Sequence, residues 1–167
     1  MSFWKHLNLN RRSGQGIAAG VFASFALIIN TWEGNESVGY VDPVGIPTAC
    51  QGHTGPEVKV GQYYNPAMCE AFLKEDFKIA NDAVNRLVSV SITEAEEAAY
   101  SSFVYNVGQG AFAQSTALRR LNSGDHEGAC DAMGMWVYGT VNGKKQVLRG
   151  LENRRADEIE LCKSELE

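Results

Sequence analysis

A chain of 167 residues with ordinary apolar content has the size of one domain and enough side chains to bury a core. Its formal net charge of −5 argues against nucleic acid as a partner, because phosphate binding usually leaves a clustered basic footprint. The same charge gives no electrostatic steering towards an anionic polymer, so recognition of one would have to come from a shaped cleft.

Residues 1–12 carry Lys5, His6, Arg11 and Arg12 and no acid, and no charge follows from Ser13 to Trp32. That run is about the length of a bilayer-spanning helix. Basic residues before it, with Glu33 and Glu36 after it, predict an N-in, C-out orientation and an export role. Gly14, Gln15, Gly16, Gly20, Ser24 and Asn30 dilute its hydrophobicity, so such a span would be weakly held. A cleaved signal peptide fits less well, since the apolar run continues almost to Glu33 without a small-residue cleavage site at a safe distance before it. The alternative is a buried helix of a soluble protein over residues 17–31.

The stretch from Trp32 to Gly55 reads WEGNESVGYVDPVGIPTACQGHTG and carries the chemistry. Glu33 closes an apolar run, where a neighbouring apolar surface would favour its protonated form. Asp42, flanked by Gly39, Pro43 and Gly45, belongs to a wetter loop and should stay ionised. Thr48 offers a hydroxyl that can hold a water. Two carboxyl groups, one to protonate a leaving oxygen and one to serve as base or nucleophile, are what glycosidic cleavage requires. Two acids within ten positions are also commonplace, and Glu33 can be read as a solvated residue at a helix end.

The order Glu33, eight residues, Asp42, five residues, Thr48 resembles the phage-type lysozymes of glycoside hydrolase family 24. Tyr40, Gly45, Pro47 and the Gly52-His53-Thr54-Gly55 run add to the likeness. The resemblance implies an α+β, lysozyme-like fold, with a small antiparallel β-lobe, a larger mainly helical lobe and the active-site cleft between them. It also implies Glu33 as acid, with Asp42 and Thr48 positioning the attacking water. His53 is expected to fix the β-lobe through a hydrogen bond. With this likeness in place, the weak N-terminal span resembles the signal-arrest-release segment of lambdoid phage endolysins. The expected organisation is residues 1–31 as that segment, continuing into the catalytic helix, and 32–167 as the catalytic domain. The small lobe takes about 32–64 and the helical lobe about 65–167.

Between Val38 and Gln62, frequent Gly and Pro with extended pieces such as Glu57–Val60 suggest the small sheet. Asn65-Pro66 is a helix start. Ala67 to Val88 reads as one long helix with Phe72, Ile79, Ala83 and Leu87 on an apolar stripe. Thr93-Glu94-Ala95-Glu96 is a capping box launching the next helix. Tyr105 to Phe112 and Ser115 to Asn122 resemble the family's core helix, glycine turn and following helix. Asn106 is either a ligand of an N-acetyl group or a helix-ending cap beside Gly108. Asp125 begins a short helix from His126 to Met133, and Trp136 is expected to be core. Asn142-Gly143-Lys144-Lys145 reads as a polar turn. Leu148 to Arg155 opens the last helix, where the resemblance implies that Arg154 pairs with Glu33. A solvated Arg154 beside Asp157 and Glu158 is the competing reading.

Cys50, Cys69, Cys130 and Cys162 lack metal-site spacing, and His6, His53 and His126 are not placed near pairs of them. They are reduced thiols or two disulfides, with three pairings possible. The neighbourhoods implied by the resembled fold favour Cys50–Cys69 and Cys130–Cys162. No cofactor or metal is expected. The expected partners are bacterial peptidoglycan and, through the N-terminal segment, the host Sec translocon and inner membrane, with the protein itself a monomer. The expected location is the inner membrane in an inactive tethered form, then the periplasm. A lytic transglycosylase would need no water-positioning aspartate, and a non-catalytic wall-binding protein would tolerate loss of Glu33; both stay open at this point.

Overall fold

The computed structural model describes residues 15–34, 36–42, 45–141 and 143–166. The basic residues of the segment 1–12 therefore lie outside the described residues, as do Pro43 and Asn142.

The uncharged N-terminal run forms α1 (Gln15–Trp32). Val21, Ser24, Phe25, Ile28 and Ile29 are buried, and their spacing puts them on one helical face. Ile28 and Val21 enter the main core, while Phe25 and Ile29 pack with Leu73. The Phe25 ring lies 5.0 Å from Phe77 and 5.7 Å from Tyr105. Each such side chain contributes about 1.5–3 kcal/mol on burial. No helix among the described residues is long and apolar enough to cross a membrane.

Two short antiparallel strands follow, β1 (Glu36–Val41) and β2 (Pro47–Cys50), with Tyr40 opposite Thr48 and Val41 opposite Pro47. Isolated bridges join Val38 to Tyr63 and Ala49 to His53. Glu57–Val60, expected as an extended piece of the sheet, instead belongs to successive turns, closed by Val58 N–H to Gly55 O and Gln62 N–H to Lys59 O. Pro56 and Gly61 bracket it, and turn chemistry overrides its β propensity.

Asn65 caps α2 (Pro66–Leu87) through its side chain, which accepts from Met68 N–H. The buried face of α2 is Cys69, Leu73, Ala80, Ala83 and Val84. Ile79, expected on the apolar stripe, is instead 61% exposed. The Thr93/Glu96 capping box starts α3 (Glu94–Val107). From Ala95 to Val104 nearly every α3 side chain is buried, as befits a helix surrounded on all sides. Its alanines at 95, 98 and 99 let α1, α2 and the last helix approach closely.

Gly108, at φ +85°, ends α3 and opens α4 (Gln109–Ala113). Only glycine adopts that backbone region without cost. Ser115 caps α5 (Thr116–Asn122) and Asp125 caps α6 (His126–Ala132), which a 3-10 turn at Met133–Met135 extends. The expected polar turn is the tip of a hairpin, β3 (Tyr138–Val141) with β4 (Lys144–Val147), in which both lysines are strand residues. α7 (Arg149–Lys163) completes the helical lobe. Disulfides join Cys50 to Cys69, tying β2 to α2, and Cys130 to Cys162, tying α6 to α7. Trp136 is partly buried against the core, edge-on to Phe103 at 5.7 Å.

Candidate active site

Glu33 follows the last turn of α1, its N–H still donating to Ile29 O at 2.8 Å. The helix thus aims the carboxyl group at a cleft of about 440 Å³. Gly52 and Thr54 share one wall with Glu33; Asp76, Ile79 and Ala80 of α2 form another; Tyr105, Asn106, Gly108 and Gln109 line the rest. Gly52 has φ +90°, and a Cβ there would lie 3.5 Å from both Glu33 Oε2 and Tyr105 Oη. The Gly52 backbone can turn beside the glutamate because it carries no side chain. Tyr105 Oη donates to Gln51 O at 2.7 Å, anchoring that turn, and burial pushes the phenol pKa well above its ordinary value.

The Glu33 carboxylate is one-quarter exposed and accepts from Arg154 Nη1. Arg154 is buried on α7, with Nε donating to Glu158 Oε1 at 3.1 Å and Nη2 to Ser102 O at 3.3 Å. Ser102 Oγ also donates to Glu158 Oε1, at 2.7 Å. Arg155 donates to the other Glu158 oxygen and to Asn106 Oδ1, and its guanidinium lies 4.9 Å over the Phe103 ring. Burial lowers the Arg155 pKa against the opposing pull of Glu158. The two arginines thus face two glutamates, and each guanidinium is bonded to at least one carboxyl group. Of these four, Glu33 is the member that reaches the cleft.

A second cluster joins the small sheet to α2. His53 is 5% exposed; Nδ1 meets Asp76 Oδ2 at 2.9 Å, Nε2 meets Glu57 Oε1 at 2.6 Å, and the ring stacks on Phe72 at 4.1 Å. Burial opposes the imidazolium, but the bonds to Glu57 and Asp76, with their charges, outweigh it and raise the His53 pKa. Burial likewise raises the Asp76 carboxyl above its usual range, against the pull of His53. Glu57, at the surface, is lowered by its bond from His53.

Asp42 and Thr48 sit on the β1–β2 hairpin, and neither lines the cleft among the described residues. Asp42 Oδ1 accepts from Ile46 N–H at 2.8 Å, a side-chain turn that closes the hairpin tip. Thr48 is buried, its hydroxyl donating to Ile46 O at 3.0 Å. Asn106 lies one residue before the end of α3, borders the cleft and is held by Arg155. The sequence assigns no site role to Asp76, Arg155 or Tyr105, and it places Glu158 only on a solvated helix face. Glu158 leaves a signal in its spacing, three and four residues after two arginines. Asp76 leaves almost none, because its partner is 23 residues away. No group of three or more His, Cys, Asp or Glu able to hold a metal occurs among the described residues.

The sequence profile of the phage lysozyme family matches residues 30–158, which takes in Glu33, the small sheet, the core helix and Arg154. The chain belongs to the phage lysozyme family. The SAR-endolysin of Enterobacteria phage PA-2 is 38% identical over 161 residues, covering 93% of this chain and 95% of that one. Among solved structures, the muramidase domain of SpmX from Asticaccaulis excentricus is 34% identical with TM-score 0.77, over 86% of this chain and 93% of that one. The endolysin of Escherichia coli O157:H7 phage FAHEc1 is 31% identical with TM-score 0.74, over 93% of both chains. The α+β architecture is thus that of a phage lysozyme, and the chain is a lysozyme-type enzyme of the class that degrades peptidoglycan.

Proposed function

We propose that the protein is an endolysin that hydrolyses the β-1,4 bond between N-acetylmuramic acid and N-acetylglucosamine of bacterial peptidoglycan, with Glu33 as the general acid. The observation that carries the reading is the Glu33 carboxyl, delivered by α1 to the cleft beside Gly52 and held by Arg154. Protonated, Glu33 gives its proton to the leaving glycosidic oxygen; once ionised, it is stabilised by the guanidinium already in place. Asp42 and Thr48, on the hairpin that leads into the Gly52 turn, position the attacking water. Substrate closure would bring that hairpin towards the cleft, since catalytic contacts often tighten only in the complex. His53 and Asn106 support the two walls.

Residues 1–31 act as a signal-arrest-release segment that inserts through the Sec pathway into the inner membrane and later leaves it. Support for this comes from the uncharged run, its basic N-terminal flank and the SAR-endolysin relatives. Phe25, Ile28 and Ile29 cannot occupy both a bilayer and the cores that α1 fills. The tethered form is therefore inactive, and release into the periplasm permits α1 to pack and present Glu33.

Mass spectrometry of products from purified peptidoglycan tests the chemistry. Reducing-end muropeptides from the parent, and none from Glu33→Gln, are expected. Anhydro ends would mean a transglycosylase, and no products from the oxidised, folded parent would refute hydrolysis altogether.

A further inference from the structure

The acids that line the cleft are Glu33 and Asp76, and Gln109, from the start of α4, is the lining residue bonded to an exposed cation. Arg86, in the last turn of α2, donates Nη2 to Gln109 Oε1 at 2.6 Å. It lies seven residues after Ile79, which places both on one helical face roughly 10 Å apart along the axis. Ile79 lines the cleft, so Arg86 prolongs its wall. Arginines 154 and 155 also touch cleft residues, but both are buried and bound to Glu158. Arg86 is exposed and has no carboxylate partner among the described residues. The bond to Gln109 uses one of five N–H donors. Beside it, a Cβ added at Gly108 or Gly110 would meet nothing within 4 Å, so the rim is open where a branch on the polymer would leave the cleft.

We infer that Arg86 is a specificity residue that binds a carboxylate of the peptide stem carried by the glycan strand. This rests on the proposed peptidoglycan reading: the stem carries carboxylates beyond the sugar, whereas a strand stripped by an amidase keeps only the lactyl carboxylate on each muramic acid. A planar guanidinium preset by Gln109 suits a carboxylate better than a freely rotating ammonium does. A cation in the last turn of a helix also interacts favourably with the helix dipole. That effect does not depend on which glycan is bound.

The test measures kcat and KM of the full chain, its R86A variant and its R86K variant on soluble glycan strands bearing stems, and on the same strands after an amidase has removed them. R86A is expected to raise KM roughly fourfold more on stem-bearing strands than on stripped ones, the scale of one solvated charge contact, with kcat little changed. R86K should recover part of the loss, and about 0.5 M salt should shrink the difference. Equal KM changes on the two glycans, or no change on either, overturn the inference while leaving hydrolysis intact. If the parent cleaves neither glycan, the hydrolase reading fails and this inference with it.

Discussion

Replacing Asp76 with asparagine keeps the shape of the side chain and removes the charge that faces His53. The pair is largely withdrawn from water, at 5% exposure for His53 and 15% for Asp76. A hydrogen bond between charged groups contributes about 1.5–3 kcal/mol, so near pH 6, where the imidazole is charged, the variant should lose at most roughly 2 kcal/mol, offset in part by release from the burial penalty on ionised Asp76. The sign with pH follows from the raised His53 pKa. Its stabilisation is complete below the unfolded value of about 6.5 and is lost as pH rises through the higher folded value. Asp76, also raised, is destabilising once ionised, because burial disfavours its charge; this lowers stability as pH climbs above about 4, and asparagine escapes it. The gap between parent and variant should therefore narrow towards about pH 9, where the variant equals or exceeds the parent. Urea unfolding of both proteins, disulfides intact, at about pH 6 and about pH 9 measures it. A gap that stays constant or widens would refute the account.

Gly52→Ala forces a side chain into φ +90° beside Glu33 and Tyr105; it should lower stability by about 1–2 kcal/mol in thermal melting and cut hydrolysis on the order of tenfold. Removing the Cys130–Cys162 bridge with a double alanine variant opens a span of 32 residues and should lower the unfolding free energy by about 3–4 kcal/mol. Thr93→Ala deletes half of the capping box on α3, and denaturant titration should show a loss of about 1 kcal/mol.

Features written in short sequence windows were legible from the chain itself. Asn65-Pro66, the Thr93/Glu96 box, Ser115 and Asp125 mark helix starts through bonds made within one turn, and the structure begins α2, α3, α5 and α6 at them. The spacing of Glu33, Asp42 and Thr48, with the Gly52–Gly55 run, identified the family from residues that lie within 23 positions of one another. Propensity misled at Glu57–Val60, where flanking turn residues governed the path.

What only the tertiary structure decided involves partners far apart in sequence. Arg154 reaches Glu33 across 121 residues, and Ser102 reaches Glu158 across 56. The sequence left Arg154 divided between a solvated helix face and this buried pair, because spacing along one helix says nothing of which helix covers it. Ile79 likewise has the periodicity of a core residue, yet it faces the cleft. Local geometry sets where an element begins and which of its faces is apolar. Which face meets another lobe, and which charge it meets there, depends on long-range packing and on the desolvation of groups that share no window of sequence.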